Sequence, residues 1–459
     1  VFYDTWLKAR YQRIELWKAD KRDVEHWSYL RLNPDIAQRV DHVSIRPWLL
    51  QPWTQTYQSR TENVLNQLAT VFDPDYMKKQ AEDRFQKRLT KQIERVQSTL
   101  FSFTNAQGYA IEWDGEADYH HEFYVGFLLP VLRSWRSNLT SLTLNVPLHI
   151  LGTLAQVSLP KMRDIDVCFN TGKLDFTSIN IHLDAFLVFI HNLRDSLESL
   201  SFHSTPGSEE LDMGRLFRHI GTFPHLLAIA LTIPFDGGHL TSVGTFLAFL
   251  QRHSEQLRSI TLKTTRCSAH SGPIKPDCQN WVQTVMGSDA IHFPRLESVS
   301  LALRPLKAPW DNLQRFLGRH ARTIRSLSVT DRTLNQDDVR QYIISPLTIA
   351  SSSNSEALVR LERLEIRVDV LSPGLLRLLA VNIPQLRTLK LTLVDKYRTA
   401  EYARNPPLFH GALRNRNFDC SGWALRRLIM SPGPDASWIS ALEAVLVECI
   451  PTLESVEEV

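Results

Sequence analysis

The sequence predicts an α/β fold: parallel strands laid side by side in one sheet, helices outside it, and a helical N-terminal cap. Three observations carry this. A six-residue phrase recurs eleven times from Leu139 onward: an aliphatic residue, two variable ones, an aliphatic, one variable, an aliphatic. An amphipathic stretch of about ten to fifteen residues precedes the phrase. Between stretch and phrase the chain breaks, often at a proline.

The phrase begins at Leu139, Met162, Leu197, Leu226, Leu257, Leu296, Ile324, Leu361, Leu386, Leu425 and Leu453. Its clearest copies are Leu-Thr-Ser-Leu-Thr-Leu at 139, Leu-Arg-Ser-Ile-Thr-Leu at 257, Leu-Glu-Arg-Leu-Glu-Ile at 361 and Leu-Arg-Thr-Leu-Lys-Leu at 386. This is the strand line of a leucine-rich repeat. Helical stretches at 183–193, 243–253, 313–320 and 438–449 precede their strands, and in 243–253 the apolar Phe246, Leu247, Phe249 and Leu250 leave Gln251 and Arg252 on the other face. Phe223-Pro224, Phe293-Pro294, Ile383-Pro384 and Ile450-Pro451 sit just ahead of a strand. There the proline ends the helix, extends its predecessor, and leaves an apolar plug for the turn. One helix and one strand per repeat predict a leucine-rich-repeat-like right-handed solenoid, a horseshoe with a parallel concave sheet and outer helices. Strand starts lie about 23 to 39 residues apart, about 31 on average, which is long and uneven for this repeat.

Two degenerate copies precede Leu139. Val40-Asp41-His42-Val43-Ser44-Ile45 fits well; residues 106–111 fit poorly but follow a predicted helix over 75–99. That helix places Met77, Ala81, Phe85, Leu89, Ile93, Val96 and Leu100 on one face, and a basic set including Lys87, Arg88, Lys91 and Arg95 on the other. The basic face reads first as a solvated surface and second as a dock for phosphate or acidic protein. Residues 1–60 are read as an N-terminal cap, 61–138 as a helical extension with a degenerate repeat, and 139–459 as eleven irregular repeats. Stretches 267–277, 351–356 and 396–419, rich in Ser, Gly, Pro or scattered Arg, read as insertions between repeats.

With 459 residues, 43% of them hydrophobic, the chain can bury a large core. A net charge of +3 from 52 basic and 49 acidic residues supplies no field that calls for nucleic acid. No apolar run is long enough for a membrane span, and none is expected. Five scattered cysteines fit a reducing compartment, cytoplasmic or nuclear. The first residue is Val1 and no signal peptide follows, so a segment upstream of this chain is expected.

Phosphate loops, Gly-x-Ser-x-Gly, His-Glu-x-x-His, paired Cys-x-x-Cys and the calcium loop are all absent. Two clusters come nearest to metal ligation. Asp118-Tyr119-His120-His121-Glu122 has adjacent histidines that diverge, and Cys267, His270 and Cys278 lack a fourth ligand and a finger spacing. Neither predicts a metal site. Asn138-Leu139-Thr140 is a glycosylation sequon whose Leu139 opens a strand, which argues against its use. The expectation is no catalysis, no cofactor and no metal.

The variable slots of the phrase are more telling, because they face away from the core. In order they are Ser141 and Thr143, Asp164 and Asp166, Ser199 and Ser201, Ala228 and Ala230, Ser259 and Thr261, Ser298 and Ser300, Ser326 and Ser328, Arg363 and Glu365, Thr388 and Lys390, Arg427 and Ile429. The next slot adds Lys263 and Arg367. Small or acidic residues thus give way to large, mostly cationic ones. One reading makes Arg363, Glu365, Arg367, Lys390 and Arg427 a site that grips an acidic or phosphorylated segment. The other reads them as long polar side chains that solvate the sheet. The hydroxyl row could equally pack against another domain.

Phe2-Tyr3-Asp4-Thr5-Trp6, then Tyr11-Gln12-Arg13-Ile14-Glu15-Leu16, then Asn33-Pro34-Asp35-Ile36-Ala37 and Val40-x-x-Val43-x-Ile45 complete the reading. Together with the irregular repeats, this layout resembles fungal F-box proteins with divergent leucine-rich repeats. The resemblance implies that the repeats select a protein substrate for a cullin-type ubiquitin ligase. It also implies that an F-box, which would bind the Skp-type adaptor, lies upstream, since no Leu-Pro-x-Glu segment occurs here. A ligase-independent scaffold or sensor using the same surface is the alternative. About ten strand intervals would span roughly 50 Å, a length suited to a folded protein or extended peptide rather than a metabolite.

Overall fold

The structure is a computed structural model that describes residues 2–17, 21–47, 76–113, 121–266, 276–302, 310–352, 359–394, 411–413, 420, 422–431 and 436–458. It divides into two compact units, Val1–Leu197 and Glu198–Val459. Each is an α/β solenoid built from the repeated phrase.

In the first unit five described strands pair in parallel and in chain order: β1 (Arg13–Leu16), β2 (His42–Ile45), β3 (Gly108–Ile111), β4 (Ser141–Pro147) and β5 (Asp164–Asn170). Its longer helices are α1 (Phe2–Tyr11), α2 (Lys21–Leu32), α3 (Tyr76–Leu100), α4 (His121–Trp135) and α5 (Phe176–His191). In the second unit nine described strands run likewise: β6 (Ser199–Ser204), β7 (Ala228–Pro234), β8 (Ser259–Thr265), β9 (Ser298–Leu301), β10 (Ser326–Leu334), β11 (Arg363–Val368), β12 (Thr388–Leu393), β13 (Arg427–Ser431) and β14 (Ser455–Glu458). Its principal helices are α6 (Met213–His219), α7 (Val243–His253), α8 (Trp281–Gly287), α9 (Asp311–His320), α10 (Pro373–Asn382) and α11 (Ala436–Cys449).

All eleven phrase-opening residues are buried, and each strand starts two residues later. The strands alternate buried and half-exposed positions, so their aliphatic residues form the core and their variable slots form an open face. Phe223, Phe293, Ile383 and Ile450, the plugs ahead of the prolines, are buried. In α3, Leu89, Val96 and Leu100 are buried while Lys87, Arg88, Lys91 and Arg95 face out.

The repeat also runs further toward the N-terminus than the aliphatic pattern implies. Tyr11, Ile14 and Leu16 occupy the three core positions of the phrase and are buried, which makes 13–16 a strand of the same sheet. The aromatic Tyr11 in the first slot hides this copy from an aliphatic search. In β3 the same slots hold Ala106, Tyr109 and Ile111. The Tyr109 hydroxyl donates to the Phe127 carbonyl at 2.7 Å, tying strand to α4. Gly237 shows a tight turn of another kind: at φ 69° it lies against the Cys278 backbone, where no Cβ fits.

Two repeats share a histidine lock. His253 and His320 end α7 and α9, each four residues before its phrase. The ring Nδ1 lies 2.8 Å from the Phe249 carbonyl and 2.9 Å from the Phe316 carbonyl, one turn back. With Nδ1 donating, Nε2 accepts the backbone N–H of Phe223 (3.0 Å) or Phe293 (3.3 Å), the residue ahead of the proline in the preceding repeat. The lock thus satisfies an amide in a buried turn, where an unpaired donor costs about 1–3 kcal/mol.

Only the neutral imidazole can do this. Burial, then the nearby charges of Arg319 and His292, outweigh the Phe316 hydrogen bond and lower His320 from 6.5 to about 4. Burial likewise lowers His253. The folded value lies below the unfolded one, so this stabilisation is fully present above about pH 6.5 and is lost as pH falls toward about 4, at up to about 1.4 kcal/mol per pH unit. Urea unfolding of the native chain should therefore show a falling midpoint on acidification through that window. His320→Leu should be less stable at neutral pH by about 1–3 kcal/mol, with a flatter acid dependence. An unchanged pH slope in the variant would contradict the lock.

Candidate partner-binding surface

In-register pairing turns the variable slots of the second unit into rows across the open face. One row reads Ser199, Ala228, Ser259, Ser298, Ser326, Arg363, Thr388, Arg427 and Ser455. The next reads Ser201, Ala230, Thr261, Ser300, Ser328, Glu365, Lys390, Ile429 and Glu457. Small hydroxyl and methyl side chains therefore occupy the first five strands of this unit, and the large polar residues gather on β11 to β14.

The sequence singles out five residues there, and the structure separates them. The Lys390 ammonium lies 2.9 Å from one Glu365 oxygen, and the Ser328 hydroxyl donates to the other at 2.8 Å. Burial alone would raise the Glu365 carboxyl; the hydrogen bonds from Lys390 and Ser328 and the charges of Lys390 and Lys263 hold it below its usual value instead. Arg427 donates to both oxygens of Glu457 at 2.9 Å, a bidentate pair. That bond, with one from Ser455, holds the Glu457 carboxyl low. Two of the four cations thus already hold carboxylates. Arg363 is exposed, and neither its side chain nor that of Arg367 makes a hydrogen bond or ion pair among the described residues.

Arg363 stands in register between Ser326 and Thr388, and Arg367 between Thr333 and Thr392. They are four strand residues apart, about 13 Å, on one side of β11. Beside Arg367 the register of β10 shifts between Val329 and Thr333. The residues set aside there carry Arg332, whose guanidinium lies 4.1 Å from the centre of the Trp310 ring, itself stacked on Tyr342 at 4.3 Å. Arg332 directly precedes Thr333, the register partner of Arg367. Sequence reading missed the stack because its members come from two repeats and lie outside the strand phrase. Glu457 was also missed, although it fills the second variable slot of the last phrase and was readable there.

In the first unit the face is of another character, with Asp164 and Asp166 on β5 beside Cys168. Burial and then the Asp166 charge push the Cys168 thiol up to about 11, so it stays protonated at neutral pH. Among the described residues, Cys168, Cys278, Cys420 and Cys449 form no disulfide with one another. Cys267 and His270, and Asp118 to His120, lie outside the described residues, as does most of each predicted insertion. Among the described residues no three His, Cys, Asp or Glu cluster as metal ligands, and no helix is long and apolar enough to cross a membrane. A Ser204–His239 pair at 2.8 Å is 2% and 1% exposed, so it is a hydrogen bond of the core that substrate cannot reach.

No family model and no curated protein matches this chain. Among solved structures it is similar to a chain of the yeast Rad7 and Elc1 complex, with 12% identity and a TM-score of 0.39 over 66% of this chain and 75% of that one. A likeness of this size carries no functional argument. The open face is what remains to be read: hydrogen-bonding hydroxyls, two self-neutralised ion pairs and two unpaired guanidiniums.

Glu365 is the residue that quenches this patch. Glu365→Gln should free Lys390, so that the chain elutes from a heparin column at higher salt, while stability changes by about 1 kcal/mol, as expected of a half-exposed pair. Unchanged elution would mean that Lys390 is not released.

Proposed function

We propose that this chain is a protein-recognition module whose open face captures an acidic or phosphorylated segment of a partner protein, with no catalysis by the chain itself. The observation that carries the reading is the pair Arg363 and Arg367. Both are cations on the open face without a carboxylate of their own among the described residues, flanked by hydroxyls that add donors. Guanidiniums bind carboxylate or phosphate through paired hydrogen bonds, each charge-assisted contact contributing about 1.5–3 kcal/mol. Side chains that recur about every 4.8 Å along each row offer successive contacts to an extended segment laid across the strands.

The finer reading is that the module selects substrates as part of an F-box subunit of a cullin-type ubiquitin ligase. Its support is the resemblance of residues 2–45, together with the uneven repeats, to that family. Residues 2–45 fold as α1, β1, α2, a single turn at Pro34–Ala37, and β2, so the stretch opens the repeat array. A partner-selecting array without ligase attachment, a scaffold or sensor, would use the same face.

Two experiments separate these statements. Arg363→Glu with Arg367→Glu should weaken capture of an acidic partner by about tenfold or more, whereas Arg427→Gln should have a smaller effect because that side chain already holds Glu457. Equal capture by the double variant would remove the patch from the account. Independently, co-purification of the full-length protein should recover a Skp-type adaptor; its absence under mild salt would leave the recognition surface standing and favour the scaffold.

A further inference from the structure

Away from the open face, the first unit holds a cavity of about 650 Å³ between the end of α4 and residues 152–158. Its lining combines the aliphatic Leu129, Leu132, Ala155 and Val157 with the polar Thr153, Gln156 and Ser158 and the two cations Arg133 and Arg136. Among the described residues no acidic side chain lines it. Arg133 lies in the last turn of α4 and Arg136 in the turn just past its end, and both line the cavity. Both are exposed, and neither makes a hydrogen bond or ion pair among the described residues. A cation near a helix C-terminus complements the macrodipole, which accounts for one such residue. It does not account for two unpaired guanidiniums on a cavity that is partly aliphatic.

We propose that this cavity is a binding site for a phosphomonoester with a small apolar body. Two guanidiniums offer two positive charges and two planar forks of N–H donors, a match for a dianion with three acceptor oxygens rather than for a single carboxylate. Leu129, Leu132, Ala155 and Val157 take the organic part, Thr153, Gln156 and Ser158 add polar contacts, and the volume lies within the usual range for small-ligand sites, about 300–1,000 Å³. The same chemistry is supplied by a free small phosphomonoester or by a phosphorylated side chain of a peptide.

Calorimetric titration of the full chain tests this with three probes: phenyl phosphate, benzoate, and a short alanine-rich peptide bearing one phosphotyrosine. Phenyl phosphate should bind saturably and at least about tenfold more tightly than benzoate, and Arg133→Gln or Arg136→Gln should weaken it about tenfold or more. Gln156→Trp, which fills the cavity and leaves both arginines in place, should abolish it. Arg363→Gln on the open face should change nothing, which keeps this site separate from the patch on β11. Tighter binding of the peptide assigns the source to a phosphorylated protein, and tighter binding of phenyl phosphate assigns it to a free metabolite. Failure of both phosphate probes to bind, equal affinity for benzoate, or indifference to both Gln variants would overturn the proposal.

Discussion

Everything in this molecule depends on one backbone contact that repeats from strand to strand. The carbonyl of the second residue of a phrase accepts two successive N–H groups of the next repeat. Thr140 accepts from Arg163 and Asp164, Leu227 from Arg258 and Ser259, Arg325 from Glu362 and Arg363, and Arg426 from Glu454 and Ser455, all at 2.7–3.1 Å. Parallel neighbours must be joined by a crossover, and this contact fixes where the next strand begins whatever the length of that crossover. Register then follows, and a slip of one residue would exchange core and open face. This is why repeats of such uneven length stay aligned: length variation is absorbed by helices and loops, while the clamp and the buried first residue hold the strand.

The same register decides what the open face can do. Because slots align across strands, a side chain's fate is set by residues one repeat away. Lys390 meets Glu365 and Arg427 meets Glu457, so half of the cationic end is spent internally, while Arg363 and Arg367 meet only hydroxyls in their rows. Charge that is left unpaired on an otherwise neutral, hydroxyl-lined sheet is where a partner gains most, since no existing bond must be broken. The pairing therefore narrows a broad basic stretch to two positions on one strand.

Much of this was legible in the sequence, for a physical reason. The core slots must be aliphatic at fixed spacing, so Leu139 to Leu453 announced their strands, and Phe223-Pro224 and its counterparts announced their turns. The copy opened by Tyr11 escaped because an aromatic ring fills the first core slot, and Tyr109 in the second slot left 106–111 only a poor match to the pattern. The quenching of Lys390 by Glu365 escaped because partners in register are separated by a variable number of residues, and only the strand pairing brings them together. The histidine lock was equally hidden: His253 and His320 share a repeat position, yet their task is to serve Phe223 and Phe293 one repeat earlier. The cavity beside Arg133 and Arg136 needs two segments packed against each other and has no sequence signature at all.

In the proposed function, partners are held on the open face rather than on the helices. A photo-reactive amino acid placed at Thr388, between Arg363 and Arg427 in the same row, and separately at the exposed Arg218 of α6, tests it by cross-linking in cells. The account predicts a partner adduct from position 388 that disappears with Arg363→Glu, and none from position 218. Adducts from position 218 alone would place recognition on the helical side and contradict it.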